Sequence, residues 1–146
     1  MHRKGWVVLM NAKQYLQQVK KLDRMIQNKN AELEMWHSIA TGTGSKADGE
    51  RVQSSGSQQK MEDAVVKSVQ VEWEISDLIE RKSQIINTIE QLPTEEYDLL
   101  HQKYIQYFDL VAIAKKRGKS YSWATTVHGQ ALKHLQAILD ARGEEE

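Results

Sequence analysis

The chain has 146 residues, room for one ordinary domain or for a small domain with a helical extension, and too few for two full domains. Twenty Lys and Arg balance twenty Asp and Glu, so the whole-chain charge makes no case for nucleic acid or an anionic membrane, and any such case is local. Apolar residues make up 40%, enough for a thin core; the absence of Cys excludes disulfides, thiolate metal sites and Cys nucleophiles and fits a reducing cytosol, and one Pro with eight Gly points to long helices.

Residues 1–10 read as an extension. His2, Arg3 and Lys4 precede an apolar run from Trp6 to Met10, far short of the roughly 18 residues of a membrane span and without a signal-peptide cleavage pattern. Met10 is a candidate internal start. No membrane association is expected, and a cytoplasmic location is.

From residue 11 the pattern is helical. Tyr15, Val19, Leu22, Ile26, Leu33, Trp36 and Ala40 recur at alternating four and three, with Lys29 at the one polar step. A spacing of about 3.5 residues is that of a helix packed along a partner helix. The seam stops at Thr41-Gly42-Thr43-Gly44-Ser45, and residues 42–59, rich in Gly, Ser, Gln and charge, read as a flexible loop. A second seam follows in Met61, Ala64, Ser68, Val71, Ile75, Leu78, Lys82, Ile85, Ile89 and Leu92. Residues 11–92 are therefore expected to form a long antiparallel, coiled-coil-like helical hairpin. Lys29, Ser68 and Lys82 thin its seam, so either a homo-oligomer or a partner helix shares its surface, or the hairpin docks on the C-terminal part. Trp36 and Trp73 read as hairpin or oligomer packing.

Leu92-Pro93-Thr94-Glu95-Glu96 punctuates the chain: Pro93 stops the helix, Thr94 is the expected N-cap, and the acidic pair suits a new N-terminus. A new domain is expected over residues 93–141, with helices at 95–106, 109–116 and 120–140. Asp109 and Ser120 are the expected caps, and Gly118 supplies the left-handed residue of a tight turn. Tyr104, Tyr107 and Phe108 are expected to cover the base of this core. Residues 142–146, ending in three Glu, read as an acidic tail. The fold class is all-α, a helical hairpin followed by a small helix-turn-helix domain.

Small and apolar residues sit where two crossing helices touch: Leu110, Ile113, Ala114, Gly118, Ser120, Ala124, Val127, Ala131, Leu132 and Leu135. With Leu92-Pro93, Leu99-Leu100 and Tyr104-Ile105, this stretch resembles the fourth, promoter-binding region of bacterial sigma factors. The chain as a whole resembles small phage and prophage proteins of Gram-positive bacteria that join a long helical N-terminal part to such a module. Asn11-Ala12-Lys13-Gln14-Tyr15-Leu16, Arg51-Val52-Gln53-Ser54 and His128-Gly129-Gln130-Ala131-Leu132 carry that likeness. Ala112, where such modules often carry an acid, and Lys119, where they are usually apolar or aromatic, depart from it.

The resemblance implies a transcriptional regulator in a bacterial host, with promoter DNA, RNA polymerase and a second copy of the chain as partners. It places Tyr121, Ser122, Thr125, Thr126 and Gln130 at base-contact positions of a recognition helix. These are neutral side chains, each discriminating less than a bidentate Arg on guanine. Lys115, Lys116, Arg117 and Lys119 flank the turn and are expected to meet phosphates. Residues 110–142 hold six basic residues against Asp140 alone. Trp123 stands at the edge of the buried stripe and reads as packing in preference to a groove contact. The other readings of this module are a non-enzymatic protein-interaction adaptor and a phage DNA-packaging recognition subunit.

Rival chemistry is thin. Glu34-x-x-His37 and Asp98-x-x-His101 have the spacing of a helical di-metal site but lie on either side of Pro93, and read as surface side chains. His128 and His134 have no carboxylate at helical spacing. Gly42-Thr43-Gly44-Ser45-Lys46 lacks Walker spacing, and no nucleophile elbow, HExxH or dinucleotide fingerprint occurs. No enzyme, cofactor or metal is expected.

Overall fold

The computed structural model describes residues 10–42 and 55–145, and every regular element among them is helical. They are α1 (Ala12–Thr41), α2 (Ser55–Ile89), α3 (Thr94–Leu100), a π-helical turn (His101–Ile105), α4 (Leu110–Lys116) and α5 (Tyr121–Glu145). The expectations for residues 1–9, for loop residues 43–54 and for Arg51-Val52-Gln53-Ser54 lie outside the described residues. Among the described residues no helix is long and apolar enough to cross a membrane.

Local chemistry sets most of the helix ends. Asn11 Oδ1 accepts from Gln14 N–H at 2.8 Å while Gln14 Oε1 accepts from Asn11 N–H at 3.0 Å, a reciprocal capping box that fixes the start of α1. At the other end Gly42 takes φ +76, and its N–H donates to the Ile39 carbonyl. α2 begins at Ser55, so residues 55–59, expected in the loop, are helical. Pro93 ends the run behind α2, but Thr94 is not the cap of α3. Pro93 holds that position with no side-chain cap bond, and Thr94 is already helical.

By contact the chain divides into two compact units. One, the C-terminal unit, joins the described residues up to Lys21 with those from Lys82 onward; the other, the paired-helix unit, is Leu22–Arg81. Pro93 thus lies inside the C-terminal unit, which includes the first turns of α1 and the last of α2.

In the paired-helix unit α1 and α2 are antiparallel. Lys29 faces Glu74, Trp36 faces Lys67 and Gly42 faces Met61, and each pair of residue numbers adds to 103. Leu22, Ala64, Ser68, Val71 and Leu78 are buried along the seam, whereas Ile26, Leu33, Trp36 and Ile75 are only half-buried. The polar steps are satisfied. Ser68 Oγ donates to the Val65 carbonyl at 2.8 Å, and Lys29 Nζ lies 2.8 Å from Glu74 and 3.5 Å from Glu32. The hydrogen bond to Glu74 holds the Lys29 ammonium above its ordinary range and the Glu74 carboxyl below its own. Trp73 is not packed within this unit: it is 71% exposed.

The C-terminal unit has the deeper core. Leu16, Ile89, Leu99, Leu100, Ile113 and Leu135 are fully buried, and α5 packs against both α3 and α4. Burying one such side chain stabilises by about 1.5–3 kcal/mol. The start of α1 is tied to α5 by Ala12 N–H donating to Gln136 Oε1 at 2.8 Å. Arg142 Nη2 donates to Thr88 Oγ1 at 2.6 Å beside Tyr15, so α5 continues helical through Glu145 where a tail is expected from residue 142. The first predicted helix of this part breaks at Leu100 into the π turn, after which Tyr107 adopts φ +67. Tyr104 is buried, Phe108 half-buried, and Tyr107 exposed, so only the first two help to close the core.

The neutral whole-chain charge is a cancellation. Leu22–Arg81 carries seven basic and eleven acidic residues, a net of −4, and the remainder carries thirteen and nine, a net of +4.

Candidate functional site

The site is built on the turn between α4 and α5. Asp109 caps α4, its Oδ1 accepting from Ala112 N–H at 2.9 Å, and Ser120 caps α5, its Oγ accepting from Trp123 N–H at 3.0 Å. Between them the chain reverses through Gly118 at φ +66. Lys119 N–H donates to the Ala114 carbonyl at 2.8 Å and Gly118 N–H to the Lys115 carbonyl at 3.2 Å, the paired bonds of a Schellman turn. Ile113 and Ala114 on α4 and Ala124, Val127, Ala131 and Leu135 on α5 are buried, and the small Ala side chains let the helices approach closely.

Burial of that stripe turns the rest outward. Lys115, Lys116, Arg117, Lys119, Tyr121, Ser122, Thr125, Thr126 and Gln130 are all exposed. Ser122, Thr125, Thr126 and Gln130 recur at three and four and share the face of α5 opposite its buried residues. Gly129 lies among them with open space where a Cβ would stand, and Lys133 is exposed three residues beyond Gln130. The face is thus a shallow strip of hydroxyl and amide groups, with a dip at Gly129 and cations towards both ends. Thr125 Oγ1 donates to the Ser122 carbonyl at 3.0 Å, which leaves its lone pairs outward as acceptors.

Aromatic rings hold the cations. Lys116 Nζ lies 4.2 Å from the centre of the Phe108 ring. The Arg117 guanidinium and the Lys119 ammonium each lie 5.8 Å from the centre of the Trp123 ring. Such contacts contribute about 0.5–1 kcal/mol at exposed sites, and they restrict long side chains that otherwise sample many rotamers. Arg117 also lies 3.7 Å from Asp98, a partly exposed pair of small energetic weight. Trp123 is half-buried, so it both packs at the edge of the core and serves as a platform. The sequence shows these ring and cation residues, but their pairing depends on the turn geometry.

Two polar pairs tie α5 to the segments packed against it. Tyr104 Oη is 2.8 Å from His128 Nε2 with the rings stacked, and His134 Nδ1 lies 2.8 Å from the buried Glu96 carboxylate. Burial pushes the Tyr104 hydroxyl up to about 12, and burial, aided by Lys103 and Lys13, holds His128 below its ordinary value. Helical spacing could not reveal either pair, because each spans separate elements. Asp98 and His101 do not act together: Asp98 faces Arg117, and His101 Nδ1 lies 2.9 Å from Gln106. His37 faces Glu72 across the paired helices at 3.7 Å. Among the described residues no three His, Asp or Glu side chains gather as metal ligands.

Comparison with protein-family models, with curated proteins and with solved structures found no match.

Proposed function

We propose that the chain is a DNA-binding transcriptional regulator of the phage and prophage type that its sequence resembles. In this reading α4, the Gly118 turn and α5 act as a sigma-like helix-turn-helix. The observation that carries it is the cationic rim, Lys115, Lys116, Arg117 and Lys119, beside an exposed polar face on α5. Ser122, Thr125, Thr126 and Gln130 reach base edges in a major groove, and the rim meets the phosphates on either side. Gly129 lets the duplex approach without a side chain in the way. With no Arg on the face, base discrimination is modest and affinity is governed by phosphate contacts. The paired-helix unit supplies assembly, by contact with RNA polymerase or with a second copy.

The test is binding of the full chain to DNA from its own genomic neighbourhood and to random DNA across a salt series. Each phosphate contact contributes about 0.9 to the slope of log affinity against log salt. Changing the four rim cations to Ala is expected to lower the slope by about 3.6. An unchanged slope would refute a role for the rim. The second reading, a protein-interaction adaptor, draws on the Arg117–Asp98 contact, which engages one rim cation within the chain. Absence of DNA binding at low salt would favour it.

A further inference from the structure

We propose that α2 of the paired-helix unit carries a docking stripe, Val65, Val66, Val69 and Trp73, for an amphipathic helix of another protein whose apolar ridge is bordered by Lys and Arg. The four side chains are 49%, 67%, 46% and 71% exposed. Their spacings of three, four and seven place them on one helical face, away from Ala64, Ser68, Val71 and Leu78, which are buried along the seam. Single exposed apolar residues are ordinary, but an indole and three valines side by side form the kind of patch that marks an interaction site.

The border of the stripe says what covers it. The charged residues three, four or seven places from a stripe residue are Glu62, Asp63, Glu72, Asp77 and Glu80. All five are acidic and all are exposed. A helix laid along the stripe buries its ridge against Trp73 and the valines and brings its own borders against these carboxylates. Basic borders gain attraction and faster encounter, whereas acidic ones are repelled. A second copy fits poorly. An antiparallel pairing of two stripes that sets Val66 on Trp73 also sets Glu62 against Asp77, and a parallel pairing sets each acid against its own counterpart. The basic unit of another copy exposes Tyr107, Val111 and Tyr121, but these stand on three separate segments and form no helical ridge, and its exposed α5 face is the polar row Ser122, Thr125, Thr126 and Gln130. Nucleic acid and anionic lipid meet the same acidic border.

The proposal rests on the reading of this unit as the assembly half of a two-part protein, and it needs no contact with DNA. Two synthetic helical peptides with one and the same Leu ridge, one bordered by Lys and Arg and the other by Glu, are titrated against the full chain by fluorescence anisotropy. The basic-bordered peptide is expected to bind about tenfold or more tighter than the acidic one, and Trp73→Ala to weaken it about tenfold. The triple variant Glu62→Lys, Asp77→Lys, Glu80→Lys is expected to reverse the preference. The proposal is overturned if neither peptide binds, if both bind alike, or if these variants leave the preference unchanged. It is equally overturned if sedimentation shows the chain alone to be a dimer that Trp73→Ala dissociates. DNA affinity measured on the same variants separates the two ideas: lost peptide selectivity with DNA binding intact removes the stripe and leaves the regulator standing.

Discussion

The two units solve the problem of a thin apolar supply in opposite ways. The C-terminal unit gathers short and long helices around fully buried Leu99, Leu100, Ile113 and Leu135. The paired-helix unit has a single seam, many of whose positions are half-buried, and it places Val66 and Trp73 in the open. The charges of +4 and −4 follow the same division. A chain that is neutral by composition thus holds two surfaces of opposite sign, and conclusions drawn from its total charge apply to neither.

The largest expected contrast is in packing. Leu135→Ala removes a fully buried side chain and is expected to cost about 3 kcal/mol, against about 1 kcal/mol for the half-buried Leu33→Ala, both measured by urea unfolding. Equal costs would contradict the difference in depth. Next comes the turn: Gly118→Ala meets no atoms but must hold φ +66, so a loss of about 1 kcal/mol is expected, with a parallel loss of DNA affinity if the turn sets the rim.

Much of this fold was legible because its signals are local. Seam spacing reports which side of a helix is buried, and Ala64, Ser68, Val71, Leu78, Ile85 and Ile89 are buried as that spacing requires. Asp109, Gly118 and Ser120 act through bonds within four or five residues of themselves. The π turn was not legible, since its five-residue bond, Gln106 N–H to the His101 carbonyl, carries no distinct residue signature. Nor was the capping failure at Thr94, where Pro93 already terminates one helix and opens the next. At the candidate site the residues themselves could be named from the sequence. Their arrangement over Phe108 and Trp123, like the Glu96–His134 and Tyr104–His128 pairs, arises only when separate helices are packed together.

Smaller effects separate the units by pH. His128 is held below its ordinary 6.5, so between the two values the unfolded chain binds more protons than the folded one. Stability in the C-terminal unit is therefore expected to fall as the pH drops through 6.5 towards the lower folded value, then to level off. Glu74 is held below 4.5, so its contribution to the paired helices is present above 4.5 and is lost as the pH falls through that value towards the folded one. Unfolding curves across this range should show His128→Gln flattening the upper window and Glu74→Gln the lower. Smallest of all, Trp73→Ala is expected to change stability by less than about 0.5 kcal/mol, because the indole is 71% exposed. A larger loss, seen in a thermal melt, would mean that the indole packs within the chain.

Lys29 is the polar step of the α1 seam, and its charge distinguishes one alignment of the two helices from its neighbours. Helices zipped on a seven-residue pattern have near-equivalent alternatives one heptad away in either direction, where apolar rows still meet. Sliding α2 past α1 by seven residues replaces Glu74 opposite Lys29 with Arg81 in one direction and with Lys67 in the other. Both alternatives bring two cations together. One ammonium group thereby disfavours the two nearest misalignments, and an apolar residue at position 29 would thicken the seam while removing that bias.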